Sequence, residues 1–313
     1  MLNQECLKIY VLVILFISFL EWVSTIIIAG GYSSILEVMI GDIGCKRWKP
    51  MPEGVYQNSM VMHNGSILMC RGDTKKCLQL NSDGVWIEHS TLNKERYWLP
   101  VVATPTATFA FGGDSSSLLT YEYLPKNSNT WHMGKTRIPG NGLLLGSAVA
   151  GKSGQEIWLI GGSGNEKRIL KFNVNDYTFH EMTTKLNVDR YGLKCCFIPN
   201  TNKIMITGGY TVNGSDLVGI NSTEIYNTED ASITMASPMN FGRFNHGMGV
   251  ITINGEDKLV VIGGSDGSNS FNSVELYNSE TNKWEISEIR LNGGGGSDLG
   301  ILQIKLADIS KYI

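Results

Sequence analysis

Leu259-Val-Val-Ile-Gly-Gly264 is an aliphatic, β-branched run that stops at a glycine pair, and it recurs along the chain. The other copies are Ile26-Ile-Ile-Ala-Gly-Gly31, Ile67-Leu-Met-Cys-Arg-Gly72, Thr108-Phe-Ala-Phe-Gly-Gly113, Ile157-Trp-Leu-Ile-Gly-Gly162 and Ile204-Met-Ile-Thr-Gly-Gly209. Their second glycines are spaced 41, 41, 49, 47 and 55 residues apart. Short apolar runs bounded by turn residues read as strands. Self-similarity at a fixed period of about 20–50 residues marks a repeated supersecondary unit. Composition agrees: glycine is 36 of 313 residues and proline only 8, which suits many short strands joined by tight turns.

Each copy continues in the same way. A polar turn leads to a strand of period two, as in Leu118-Leu-Thr-Tyr-Glu-Tyr123, Ile169-Leu-Lys-Phe-Asn173, Thr223-Glu-Ile-Tyr-Asn227 and Val274-Glu-Leu-Tyr-Asn278. A short Asn/Asp/Ser turn then precedes a strand opening with a large residue: Trp48, Trp86, Trp131, Phe179, Ile233 or Trp284. Next comes a link, expected to be exposed, that holds Arg96-Tyr97, Arg137, Arg190-Tyr191 or Arg243-Phe244. A strand such as Gly247-Met-Gly-Val-Ile-Thr-Ile253 returns the chain to the next glycine pair. Four strands per unit make one blade of a β-propeller, and six occurrences predict six blades. The first copy lacks an innermost strand, whereas Leu299-Gly-Ile-Leu-Gln-Ile-Lys-Leu306 is left over at the far end with strand-like alternation. Pairing the two would close the ring and leave no open sheet edge there.

The last full copy carries Gly263-Gly264, Tyr277-Asn278 and Glu280-Thr-Asn-Lys-Trp284, preceded by Arg243-Phe-Asn-His246. These residues resemble the kelch repeat, and the resemblance runs from Thr25 onward. It implies an all-β, six-bladed kelch-type propeller over residues 25–313, with four antiparallel strands per blade. Related proteins commonly act as binding scaffolds, so the resemblance also implies a non-enzymatic protein that holds a protein or glycan partner through loops on one face. No BTB-like or F-box-like helical segment accompanies it. Secreted six-bladed kelch proteins resembling sialate mutarotases supply the alternative, a sugar-acting enzyme in which an Arg–Glu pair in a central pocket works by acid–base catalysis.

The links are the candidate binding surface. Arg96, Tyr97, Arg137, Arg190, Tyr191, Arg243, Phe244 and His246 sit at similar repeat positions, so a circular arrangement gathers them at one mouth. Arginine beside an aromatic ring is characteristic of interaction hot spots. The competing role is architectural, with each arginine tying blades together through loop carbonyls and acidic groups.

Lys8 is followed by the apolar run Ile9–Leu20, bounded by Glu21. Twelve residues fall short of the ~20 that span a bilayer and suit a signal peptide, or an uncleaved anchor, over residues 1–24. Asn64-Gly-Ser66, Asn213-Gly-Ser215 and Asn221-Ser-Thr223 are glycosylation sequons. The expected setting is therefore secreted or lumenal, with membrane attachment only through an uncleaved leader. Cys70 and Cys77 flank a predicted tight turn and are the expected disulfide. A net charge of −3 argues against a nucleic-acid partner.

Other motifs lose to the repeat. Gly146-Ser-Ala-Val-Ala-Gly-Lys-Ser153 matches a phosphate-binding loop, but a strand rather than a helix follows it, so a hairpin turn is expected and nucleotide binding is not. Arg71-Gly72-Asp73 is an integrin-type adhesion tripeptide, yet Arg71-Gly72 fills a glycine-pair slot. Asn81-Ser-Asp-Gly-Val-Trp86 reads as a turn before an outer strand. Five histidines without ligand spacing suggest no metal, and no cofactor is expected.

Overall fold

The computed structural model describes residues 24–30, 35–40, 44–47, 58–72, 74–114, 116–163, 166–292, 296 and 298–305. The expected leader lies outside these residues except for Ser24, and Trp48 and Asp73 also lie outside them.

Every regular element among the described residues is a β-strand. The first three are β1 (Ser24–Gly30), β2 (Ile35–Ile40) and β3 (Gly44–Arg47). Four-stranded sheets follow from β4 (Ser59–His63), β5 (Ser66–Cys70), β6 (Lys76–Leu80) and β7 (Trp86–Thr91), then from β8 (Val101–Ala103), β9 (Ala107–Phe111), β10 (Tyr121–Pro125) and β11 (His132–Met133). The next is built of β12 (Ser147–Ala150), β13 (Glu156–Ile160), β14 (Ile169–Asn173) and β15 (Phe179–Glu181). In the sheet after it, β16 (Lys194–Phe197) and β17 (Lys203–Thr207) pair on to β20 (Thr223–Asn227) and β21 (Ile233–Ala236). Between β17 and β20 the chain makes a separate two-stranded hairpin, β18 (Tyr210–Asn213) and β19 (Asp216–Gly219). One more sheet holds β22 (Gly247–Ile253), β23 (Glu256–Ile262), β24 (Ser273–Asn278) and β25 (Lys283–Arg290).

The last strand, β26 (Leu299–Lys305), returns to the first sheet, giving the order β26-β1-β2-β3. Its antiparallel register runs from Ser24 opposite Lys305 to Gly30 opposite Leu299. The leftover C-terminal strand therefore completes the N-terminal sheet. Innermost strands touch in sequence order, β4 to β8, β8 to β12, β12 to β16 and β16 to β22, while β26 touches both β22 and β4. The architecture is an all-β propeller.

The core lies between neighbouring sheets, which explains why the glycine-pair strands are apolar throughout rather than alternating. On β13, Ile157 and Leu159 pack toward Phe109, Phe111 and Tyr121 of the preceding sheet. Trp158 and Ile160, pointing the other way, pack toward Ile204, Ile206 and Tyr226 of the following one. Each glycine pair then turns under the next link. Gly112 has φ +62°, and a Cβ there would collide with the Leu143 carbonyl; the Gly113 N–H donates to that same oxygen at 2.9 Å.

Cys70 and Cys77 are opposite one another on β5 and β6 and form a disulfide. Gly151 to Gly154 form the turn between β12 and β13, closed by the Gly151 N–H on the Glu156 carbonyl at 2.8 Å. No helix follows this phosphate-loop lookalike.

Candidate functional site

Three of the four link arginines are architectural. Arg96, Arg190 and Arg243 are fully buried (0% exposed), and each meets an equally buried glutamate: Glu122, Glu224 and Glu275. Arg190 Nε and Nη2 each lie 3.1 Å from Glu224 Oε1, while its Nη1 donates to the carbonyls of Gly208 and Ser222 at 2.7 Å. The other carboxylate oxygen accepts the Asn187 backbone N–H at 2.7 Å and the Asn187 side chain at 2.9 Å. Asn93 does the same for Glu122, and Asn240 for Glu275. The unit is thus Asn-x-x-Arg on a link, clasped to a glutamate at the second or third position of the sheet's third strand. Desolvation lowers the pKa of all three arginines, and the paired carboxylates oppose it. Buried pairs hold when their remaining donors and acceptors are occupied, as they are around Arg190; in the third clasp Arg243 binds through Nη1 and Nη2 and its Nε is left without a partner.

The expected exposed arginine surface is therefore corrected: these guanidinium groups are spent on their own sheets. Arg–Glu pairs do exist, as the sugar-acting alternative requires, but they are sealed away from solvent. Arg137 is corrected in a different sense, since it is exposed and enters no clasp. The equivalent of the clasp arginine in its link is Leu143, whose carbonyl accepts from Gly113 as that of Arg243 does from Gly209. The matching glutamate position is Leu170, and the two leucines are buried in one cluster. Both charges are replaced together.

The remaining link residues divide. His246 is fully buried with Nε2 2.8 Å from Thr207 Oγ1. Burial first, and then the nearby Arg243 and Lys194 charges, hold it well below the usual imidazole range and hence neutral. Tyr97 is half-buried beside Trp98. Tyr191 stacks on Tyr210 of β18 at 5.2 Å, and Phe244 meets the same ring edge-on at 5.0 Å. The Tyr191 hydroxyl donates to Glu166 at 2.8 Å, a bond that, with burial, pushes its pKa up to about 12.

At the centre of this face is a cavity of about 150 Å³, lined by the entries to β4, β8, β12, β16, β22 and β26. Main-chain bonds run around its rim from link to link. Gly192 N–H donates to Leu145, Asn245 N–H to Gly192 and Asp298 N–H to Asn245. Trp98, Leu145, Asn245 and Asp298 hold φ between +50° and +58°, where a side chain other than glycine's is strained. Lys194, Asp298, Asn245 and Asn58 are among the residues that line it. Asn245 Nδ2 donates to Asp298 Oδ1 at 2.7 Å, and the Trp98 side chain also bonds that carboxylate. Burial raises the Asp298 pKa against these partners and lowers that of Lys194 against the pull of Asp298.

The β18–β19 hairpin stands on the same face. Tyr210 N–H donates to the Tyr191 carbonyl and Gly219 N–H to that of Asp266, fixing its base between the link before β16 and the β23–β24 turn. Val212 is 58% exposed, Leu217 43% and Val218 42%, and Val212 lies opposite Leu217 across the pair.

Sequence reasoning missed the cavity, because its residues come from distant links. It also missed the hairpin, although Gly214-Ser215, which joins Asn213 to Asp216, is a two-residue turn signal. Of the sequon residues, Asn64 and Asn221 are exposed and Asn213 ends β18. Asn221 Nδ2 donates to the Met239 carbonyl at 3.1 Å. In the adhesion tripeptide Gly72 is buried and Arg71 half-buried.

Comparison with known proteins agrees with this geometry. The Kelch motif family model matches residues 245–287, which run from the link before β22 into β25. A kelch repeat-containing protein of Dictyostelium discoideum is 27% identical over 159 residues, which are 49% of this chain and 23% of that protein. This chain thus matches under a quarter of its relative's length. Kelch propellers generally serve as scaffolds for protein interactions. With the motif, the recurring glycine pairs and the four-stranded sheets in agreement, the chain carries a Kelch motif over residues 245–287 and is similar to kelch-repeat proteins.

Proposed function

We propose that the protein is a secreted or lumenal, non-enzymatic scaffold, a closed ring of six blades that binds a protein partner through the face bearing the links. The observation that carries this reading is the hairpin, with Val212, Leu217 and Val218 exposed beside the aromatic set of Tyr191, Tyr210 and Phe244. Apolar side chains displayed together on a surface mark interaction sites. An aliphatic tip favours a protein over a glycan. The contacts of innermost strands all round the centre support six blades. The Cys70–Cys77 disulfide, the apolar leader and the three sequons support an oxidising, secretory setting.

The test places a photo-crosslinking residue at Val212 and, separately, at Asn254 in the turn between β22 and β23 at the opposite end of the strands. A discrete protein adduct from position 212 and none from 254 is expected in cells that make the protein. Adducts from 254 alone would reject the reading. Treating the intact product with glycosidase and sequencing its N-terminus tests the setting; an unglycosylated chain retaining Met1 would contradict it.

A further inference from the structure

Exposed apolar side chains gather at one place on this molecule. Among the described residues nine large apolar side chains are exposed, and four of them, Val212, Leu217, Val218 and Phe241, belong to the β18–β19 hairpin or border its base. Phe241 is brought there by its neighbour Gly242, where a Cβ would meet the Gly219 carbonyl. Val212 and Leu217 lie opposite one another and share a face of the hairpin, whereas Val218 lies opposite Thr211 on the other face. An antiparallel pair resting on its own protein buries one apolar face and shows water a polar one. Here apolar groups are exposed on both faces, which suits a partner segment packed around the hairpin.

Charge supplies the chemistry of that segment. Asp216 is exposed on β19. Asp266 stands at the base, its carbonyl accepting the Gly219 N–H and its carboxylate held by the N–H groups of Ser268 and Asn269 at 2.8 and 2.6 Å. On the other side Glu166 accepts the hydroxyl of Tyr191, whose ring stacks on Tyr210. Asp189, two residues before Tyr191, has a side chain 59% exposed and close enough to act on that hydroxyl. The cation these contacts bring to the group is Lys167, 3.9 Å from Asp189. Four carboxylates against one ammonium group leave three negative charges around the apolar hairpin. Arg190 and Arg243 do not offset them, because each is spent on its own buried glutamate.

We propose that the segment bound here is both aliphatic and cationic: a stretch of polypeptide whose Leu, Ile or Val side chains pack on Val212, Leu217 and Val218, with flanking lysines or arginines that meet the carboxylates. A neutral or acidic segment covers the apolar groups but leaves the rim without counter-charge. Complementary charge of this kind sets partner choice and speeds encounter. The inference rests on the protein-binding reading of this face and adds the chemistry of the partner.

The test is selection of a random peptide library displayed on phage against the purified protein, with counter-selection on the Val212→Ser, Leu217→Ser variant. Fluorescence anisotropy then measures the consensus peptide. The expected consensus has aliphatic residues flanked by lysine or arginine. Asp189→Asn with Asp216→Asn, both at exposed positions where substitutions rarely disturb folding, should weaken that peptide at least about tenfold. Raising the ionic strength from about 0.1 to 1 M should weaken it too, since screening then acts beyond ~3 Å. A hairpin-dependent consensus that is acidic or uncharged overturns this inference and leaves the protein-binding reading standing. An affinity unchanged by the carboxylate substitutions overturns it as well. So does the absence of hairpin-dependent enrichment, whereas the reading itself falls to adducts from position 254 alone.

Discussion

Glu275 accepts from the Asn240 and Phe241 backbone N–H groups and from Arg243, all in a site without solvent. Deleting one partner strands the other charge. Glu275→Leu and Arg243→Leu should each cost about 3–5 kcal/mol in denaturant unfolding. The double variant should recover much of this, because Leu143 and Leu170 already fill the same two positions in another sheet. Additive losses in the double variant would show that the pair is not the unit. His246 gives a pH dependence at the same scale. Below about 6.5 the unfolded chain takes up a proton at this position and the folded chain does not, since burial depresses the folded value. Stability should thus fall as the pH drops from about 6.5 toward that depressed value, by up to about 1.4 kcal/mol per pH unit. His246→Gln should flatten this part of the curve in denaturant melts across the acid range.

Among the elements, the glycine-pair strands were legible because sequence and packing state the same fact twice. Aliphatic runs buried on both faces show no alternation, and a glycine pair ends each where the next link crosses. Gly208→Ala should be destabilising by roughly 1–3 kcal/mol, since its φ is +58° and a Cβ would meet the Arg243 carbonyl; calorimetric melting reads the loss. The clasp was only half legible. Arg96, Arg190 and Arg243 stood out at matching positions, and the glutamates of Tyr121-Glu122, Thr223-Glu224 and Val274-Glu275 were in plain view, but adjacency in space had to join them. Arg137 misled because it lies near the right place in the repeat, whereas the equivalent residue, Leu143, carries no charge to notice. The β18–β19 hairpin was hidden inside the 55-residue final spacing. It is a separate two-stranded sheet, so replacing residues 210–219 with a short Gly-Ser turn should leave the thermal midpoint within a few degrees of the parent while removing partner adducts.

For the whole molecule, closure was legible from a count of strands: one short at the start and one over at the end. Pairing of β26 with β1 satisfies both. A chain ending at Asp298 should expose the β1 edge and aggregate, and light scattering during refolding measures this. The cavity was not legible, because Asn58, Lys194 and Asp298 lie far apart in sequence and only the circular arrangement brings them to one centre. On the proposed function, the same arrangement separates binding from architecture on one face, with arginines turned inward and the hairpin's Val212, Leu217 and Val218 turned outward. The most direct test of that division is the dissociation constant of the crosslinked partner for two variants, Val212→Ser with Leu217→Ser and Arg243→Leu with Glu275→Leu. Affinity should fall at least about tenfold in the hairpin variant and stay unchanged in the folded clasp variant. The reverse pattern would contradict the account.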